Sequence, residues 1–254
     1  VLTPHLGAST VEAQDKAGVD VAHSLALALR GELVLSAVNV DLGPEVADEV
    51  RAFLPLVEQL GRVFVALARG IPDRVSVRAE GRIADYPVRP LGLAALKGAL
   101  AAVSTVPVTY VNASPLAAER GITLVEEADP EARDFVSLVR LSGETAGRLV
   151  SVSGTLGRKG PILVEILDHE VELPLSPHMA VLRNADVPGM IGRVGTYLGG
   201  LGVNIANMVV GRTPETRAAA MMGFNLDQAL TDEQVEGLLD IDGIEEAVSV
   251  ALPE

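Results

Sequence analysis

The sequence predicts an α/β protein of the α+β kind, a mixed α/β unit followed by a block ordered β-α-β-β-α-β. Three observations carry this. Val75, Val77 and Ala79 alternate with Ser76, Arg78 and Glu80, the period-two pattern of a half-buried strand set among helical segments. Glycine and proline turn signals after residue 176 cut the rest of the chain into six short elements in ferredoxin-like order. The 254 residues are 48% hydrophobic and 21% charged, enough for two cores and unlike a disordered chain.

The elements follow in order. Ser9 and Glu12 have capping-box spacing, and a helix is expected from there to about Arg30, stopped by Gly31. Its apolar residues Ala13, Ala17, Val21, Leu25 and Leu29 recur at steps of four, so one face is expected to pack on something larger. Leu33–Val40 reads as a strand. Residues 44–70 read as two helices split at Pro55, because proline lacks the amide donor and crowds the preceding turn. Another helix is expected over roughly 88–103, then a short strand, Pro107–Val111. Ser114-Pro115 reads as an N-cap before an N1 proline, and Gly121 ends that short helix. Residues 134–154 and 161–173 read as strands turning at Asp168-His169.

In the last block, Met179–Ala185 is a strand, and Pro188-Gly189 opens a helix with Ile191, Val194, Leu198 and Leu201 on its apolar face. Gly202 releases it into a strand, Val203–Val210. Thr213-Pro214-Glu215 is a turn signal, and Arg217–Leu226 is the return strand. Thr231 and Gln234 form a capping box for a helix over 232–240, and Glu246–Leu252 closes the block. The divisions predicted are therefore 1–31, 32–175, the mixed α/β unit, and 176–254.

Charge and composition exclude several functions. Three lysines and seventeen arginines against 34 acids give a net charge of −14, which argues against a nucleic-acid surface or an anionic membrane as partner. With no cysteine there are no disulfides, thiolate metal sites or cysteine nucleophiles, and four scattered histidines offer little to a metal, so none is expected. No apolar run reaches membrane-spanning length and no leader is evident, so a cytoplasmic location is expected. Seven acids fall between Asp232 and Glu246, read as a solvated helix face.

Four segments together point to one family. TPHLGAST (3–10) resembles the histidine motif of D-2-hydroxyacid dehydrogenases. AVNV (37–40) and YVNASPLAAERGITL (110–124) resemble the middle, intervening domain of long-form D-3-phosphoglycerate dehydrogenases. NADVPGMIGRVGTYLGGLGVNIANM (184–208) is similar to the ACT regulatory domain of those enzymes. The resemblance implies that residues 1–31 are the C-terminal remnant of a nucleotide-binding, catalytic body whose other parts are absent, so the chain is expected to be a C-terminal portion inactive alone. Gly199-Gly200-Leu201-Gly202 lies at a helix end and does not make a dinucleotide loop. NAD is then implied for the full-length parent and none for this chain.

The resemblance also assigns residues. His5 matches the family's acid/base histidine, a role suited to a group titrating near neutral pH. Asn184, Asp186, Pro188, Gly189 and Asn204 match the effector site, where L-serine binds between two ACT domains and the residue matching Asn204 reaches across from the facing subunit. A zwitterion needs an acceptor for its ammonium, which Asp186 supplies, and donors for its carboxylate, which Asn204 and the start of the Pro188-Gly189 helix supply. From the residues alone, Asp186 as a helix cap and Asn204 as a strand-end residue remain open. In the intervening domain the last hairpin carries Glu165, Asp168, Glu170 and Glu172 and no cation, which disfavours phosphate there. The implied function is the serine-sensing, oligomerising region of a D-3-phosphoglycerate dehydrogenase of L-serine biosynthesis. The alternative is an assembly module that pairs through its ACT domain without an effector.

Overall fold

The computed structural model describes residues 9–38, 40, 42, 45–132, 134–212 and 219–253. Among these, helix α1 spans Val11–Leu29. Its cap is Thr10 rather than Ser9: the Thr10 hydroxyl accepts from the Ala13 amide at 3.2 Å, one residue later than the sequence suggested. None of its residues is buried, and Leu29 is 80% exposed. The apolar stripe expected to pack is present but uncovered.

The expected strand at 33–40 is absent: its described residues run as turns and loop. Leu33, Leu35, Ala37 and Val40 still pack on the core, so their apolar character serves burial rather than sheet pairing.

Helix α2, Asp48–Ala68, is one continuous helix with Pro55 inside it, not two. The reason is the unbroken apolar face. Phe53, Leu54, Leu56, Val57, Leu60, Val63 and Phe64 are buried on either side of the proline, while Pro55 is on the exposed face, where water can reach the carbonyl it leaves unpaired. Strand β1 (Arg74–Gly81) has the expected alternation, with Val75, Val77 and Ala79 fully buried. A 3-10 turn (Arg82–Asp85) leads to α3 (Arg89–Val103).

Helices α2 and α3 approach closely through glycines. A Cβ on Gly61 would sit 2.5 Å from the Ala95 carbonyl oxygen, and one on Gly98 would overlap the Glu58 carbonyl. Beside this crossing, Lys97 pairs with Glu58 at 2.7 Å and lies 4.8 Å from the Tyr110 ring centroid.

No strand forms at Pro107–Val111. The segment is loop and turn leading to α4 (Ala113–Glu119), whose N-cap is Asn112 rather than Ser114. Asn112 Oδ1 instead accepts from the Thr109 amide at 2.7 Å, a local bond that competes with extended pairing.

Five further strands complete the first sheet: β2 (Thr123–Asp129), β3 (Ser137–Thr145), β4 (Arg148–Gly157), β5 (Gly160–Ile166) and β6 (His169–Pro174). The order is β2-β1-β3-β4-β5-β6, with β1 and β2 parallel and the other pairs antiparallel. The run read as strand over 134–154 holds a hairpin. It turns at Ala146 and Gly147, both at positive φ; Leu167 and Asp168 do the same between β5 and β6.

The last block has the predicted order: β7 (His178–Ala185), α5 (Met190–Gly200), β8 (Ile205–Arg212), β9 (Ala219–Leu226), α6 (Asp232–Leu239) and β10 (Ile244–Ala251). The Thr231–Gln234 capping box is present in full. The sheet order β10-β7-β9-β8, all antiparallel, is a ferredoxin-like arrangement, consistent with the ACT fold that the resemblance implied.

Strand β7 is buried on both faces. Ala180 and Leu182 join Val194, Leu198 and Phe224 under α5 and α6. Met179 and Val181, with Met221, Val250 and Leu252, face the other way and share one core with α2 and the six-stranded sheet. At this junction a Cβ on Gly211 would lie 2.6 Å from the Glu170 carbonyl oxygen, and Arg148 pairs with Glu246 at 2.6 Å.

Candidate functional site

The loop between β7 and α5 is held from below. The Ala185 amide donates to the Gly243 carbonyl at 2.8 Å, and Arg193 donates to the Asp242 carbonyl at 2.7 Å. Gly189 caps α5 at φ 92°, a left-handed conformation that glycine adopts without strain. No side chain caps α5 and its first turn holds no acid. The first amides and the positive end of the helix dipole are therefore left for something else.

Together, loop and helix form one wall of a cleft of about 730 Å³. Asn184, Asp186, Pro188, Gly189, Met190 and Ile191 line one side, and Val210 and Arg212 of β8 face them. Four of the five effector-site residues expected from the sequence thus come together. Asn184 is 1% exposed. Its Nδ2 donates to the Ala185 carbonyl at 2.7 Å, while its Oδ1 is buried without a hydrogen-bond partner among the described residues. A buried amide oxygen left unbonded costs on the order of 1–3 kcal/mol, which a donor entering the cleft would recover.

Asp186 has a side chain only 15% exposed, and its Oδ1 lies 3.0 Å from an Arg212 guanidinium nitrogen. Arg212 is the site residue the sequence reading missed. Twenty-six positions separate the two in the chain, and only the β7–β9–β8 pairing brings them together.

Asn204 is not in this cleft. It precedes β8, donates to Asp227 Oδ2 at 2.9 Å and is exposed. Arg212 ends the same strand. At ~3.4 Å per residue, about 27 Å of strand separates Asn204 from Arg212 of its own chain. His5 lies outside the described residues, as do Thr213-Pro214-Glu215 and Arg217.

The acidic hairpin borders a second, wider groove of about 1040 Å³ on the sheet face away from α2. It is lined by Arg78, Arg140 and seven acids, including Glu165, Glu170 and Glu172. Both arginines are engaged: Arg140 pairs with Glu165 and Glu80, and Arg78 with Asp129. The Glu131 amide and then Arg78 hold the Asp129 carboxyl below the usual carboxylate range. His169, expected in a turn, opens β6, and its Nδ1 lies 2.8 Å from the Leu167 carbonyl oxygen. Among the described residues no cluster of acids and histidines is arranged to hold a metal, and no helix is long and apolar enough to cross a membrane.

Residues 49–167 match the family model for the D-3-phosphoglycerate dehydrogenase intervening domain. Three curated relatives named D-3-phosphoglycerate dehydrogenase illustrate the breadth of the match. The Synechocystis protein is 38% identical over 99% of this chain and 46% of its own length. That of Mycobacterium leprae is 41% identical over 90% and 43%, and that of Methanocaldococcus jannaschii 32% over 98% and 48%. The chain thus spans about half the length of the curated relatives it matches. Over residues 49–167 it is similar to that intervening domain, over nearly its whole length it is similar to D-3-phosphoglycerate dehydrogenases, and it is consistent with a C-terminal portion of such an enzyme.

Proposed function

We propose that this chain is the regulatory and oligomerising region of an NAD-dependent D-3-phosphoglycerate dehydrogenase of L-serine biosynthesis, and that its β7–α5 cleft senses L-serine between paired ACT domains. The carrying observation is the cleft itself. It joins a buried unbonded Asn184 oxygen, the largely buried Asp186 carboxylate and the uncapped start of α5, which are an acceptor, an anion and a set of donors for one zwitterion.

The position of Asn204 supports a paired site. Strand β8 is an edge strand, and edge strands invite pairing with a second chain. Antiparallel pairing of β8 with its copy, in the register centred on Met208, would place residue 204 of one chain beside residue 212 of the other. Each cleft would then be completed by the facing subunit's Asn204. Val187, Ile191 and Val210 supply exposed apolar surface around the cleft. Self-association through this edge is therefore part of the proposal, as is coupling to the catalytic body to which His5 would belong. Such coupling requires that serine bind one subunit arrangement more tightly than another.

Calorimetric titration with L-serine, with glycine and D-serine as controls, tests this reading, and light scattering reports the assembly. Saturable, stereoselective heat at about one ligand per chain is expected. An oligomer that gives no heat up to millimolar serine would leave the chain an assembly module. An effector also raises the melting temperature with ligand concentration, whereas assembly alone does not.

A further inference from the structure

Resting on the effector reading above, we propose that Asp186 and Arg212 form a two-charge receptor in which Arg212 takes the carboxylate of a free small neutral α-amino acid while Asp186 takes its ammonium.

Three features of the cleft lead there. The first is the contact itself. It joins one carboxylate oxygen of Asp186 to one guanidinium nitrogen of Arg212 at 3.0 Å. Arg212 is 69% exposed and has no other partner among the described residues. A guanidinium is a fork of five donors, so most of its hydrogen-bonding capacity remains available to a planar anion.

The second is spacing. In an α-amino acid one carbon separates ammonium from carboxylate. The Asp186–Arg212 pair offers an anion and a cation at a single contact distance. A zwitterion laid head to tail against it brings each charge onto its opposite, with no net charge left in the cleft. Dicarboxylates, amides and decarboxylated amines each leave one member of the pair unanswered.

The third is the remainder of the lining. Val187, Met190, Ile191, Val210, Ala220 and Met222 are apolar, so a charged side chain finds no partner there. The buried Oδ1 of Asn184 is the acceptor left for a small donor such as a hydroxyl. One carboxylate oxygen can face Arg212 and the other the uncapped amides of α5, so the helix and the arginine share the anion.

The pair accounts for selectivity that the helix start alone does not. A helix terminus attracts any anion, and Asp186 attracts any cation; only together do they demand both on one small molecule.

The test compares L-serine with L-serinamide, which keeps the ammonium and hydroxyl but not the carboxylate charge. Titrations are run at slightly acidic pH, where both ligands carry the ammonium, on the unaltered chain, on Arg212→Gln and on Arg212→Lys. Arg212 is exposed, and circular dichroism with a melting curve verifies the fold of each variant. The unaltered chain is expected to prefer serine over serinamide by at least roughly tenfold. Arg212→Gln is expected to lower serine affinity by roughly ten- to hundredfold and to erase that preference, with cationic serinamide binding at least as tightly as before because the guanidinium paired with Asp186 is gone. Arg212→Lys keeps the charge without the fork and should fall between the two.

Serine affinity that is unchanged in Arg212→Gln overturns the proposal while leaving the effector site standing. Tighter binding in that variant also overturns it, since Arg212 would then be competing with the ligand for Asp186. If the unaltered chain binds neither ligand, the effector reading itself fails, and the proposal with it.

Discussion

Asn204 donates to Asp227 in a single chain, yet the proposed paired assembly gives it a second partner on the facing subunit's ligand. Losing a hydrogen bond to a charged group costs on the order of 1.5–3 kcal/mol. Asn204→Ala is therefore expected to weaken serine binding by roughly ten- to hundredfold in titration calorimetry, with little change in melting temperature because the residue is exposed. Tyr110 illustrates a different residue-scale effect. Burial, and then the nearby Glu58 carboxylate, push its phenol above the ordinary tyrosine range. The unfolded chain ionises this group from about pH 10 upward while the folded chain does not, so stability present below that pH is lost as pH rises through it. Tyr110→Phe removes the linkage, and denaturant titrations above pH 10 should show a shallower loss of stability than the unaltered chain. Of the cleft, Asn184, Asp186, Pro188 and Gly189 were legible through the resemblance of one short stretch of chain to the ACT family, since spacing alone left Asp186 open as a helix cap. Arg212 was not, because its part depends on which strand neighbours β7 across β9, and that pairing leaves no mark in local sequence.

At the scale of elements, what was legible followed from periodicity. The alternation over residues 75–80 and the Thr231–Gln234 capping box appear as read. Strand β2 was not legible. It is an edge strand carrying Glu126, Glu127 and Asp129, of low strand propensity, and exists through its parallel pairing with β1. Pro55 misled in the opposite sense: a local breaker was overridden by a long apolar face on either side of it. The glycines sort by the same logic. Gly98 lies where α3 meets the backbone of α2 at Glu58, so Gly98→Ala must push the helices apart. A loss of roughly 1–3 kcal/mol is expected in urea melts, the cost of overpacking a close crossing. Gly195 in α5 has open space around its Cα, and Gly195→Ala should stabilise by about 0.5–1 kcal/mol through helix propensity. If both substitutions moved the midpoint alike, close approach would not be what selects glycine at position 98.

Over the whole molecule, two sheets share a core. The four-stranded sheet is covered by α5 and α6 on one face and by the neighbourhood of α2 on the other, with Met179, Val181, Met221, Val250 and Leu252 at the junction. The expected division near residue 176 therefore crosses a packed apolar contact. A fragment of residues 176–254 uncovers those five side chains, and it is expected to aggregate, or bind a dye that reports apolar surface, under conditions where the full chain does neither. A monodisperse fragment with the melting behaviour of the full chain would show that the junction contributes nothing. Helix α1 shows the contrary arrangement, a regular helix with an apolar stripe and no buried residue.

The doubly covered sheet carries an evolutionary constraint. A four-stranded sheet that needs only its own two helices can be grafted onto many proteins, since its open face tolerates water. This one cannot travel so freely. Any recipient must already present a hydrophobic floor shaped to the far side of β7, β9 and β10, with a backbone that admits Gly211 against Glu170. Recombination that preserves the sequence of the four-stranded unit but replaces its neighbour should yield poorly folding chimeras, so the two units are expected to be inherited as a pair.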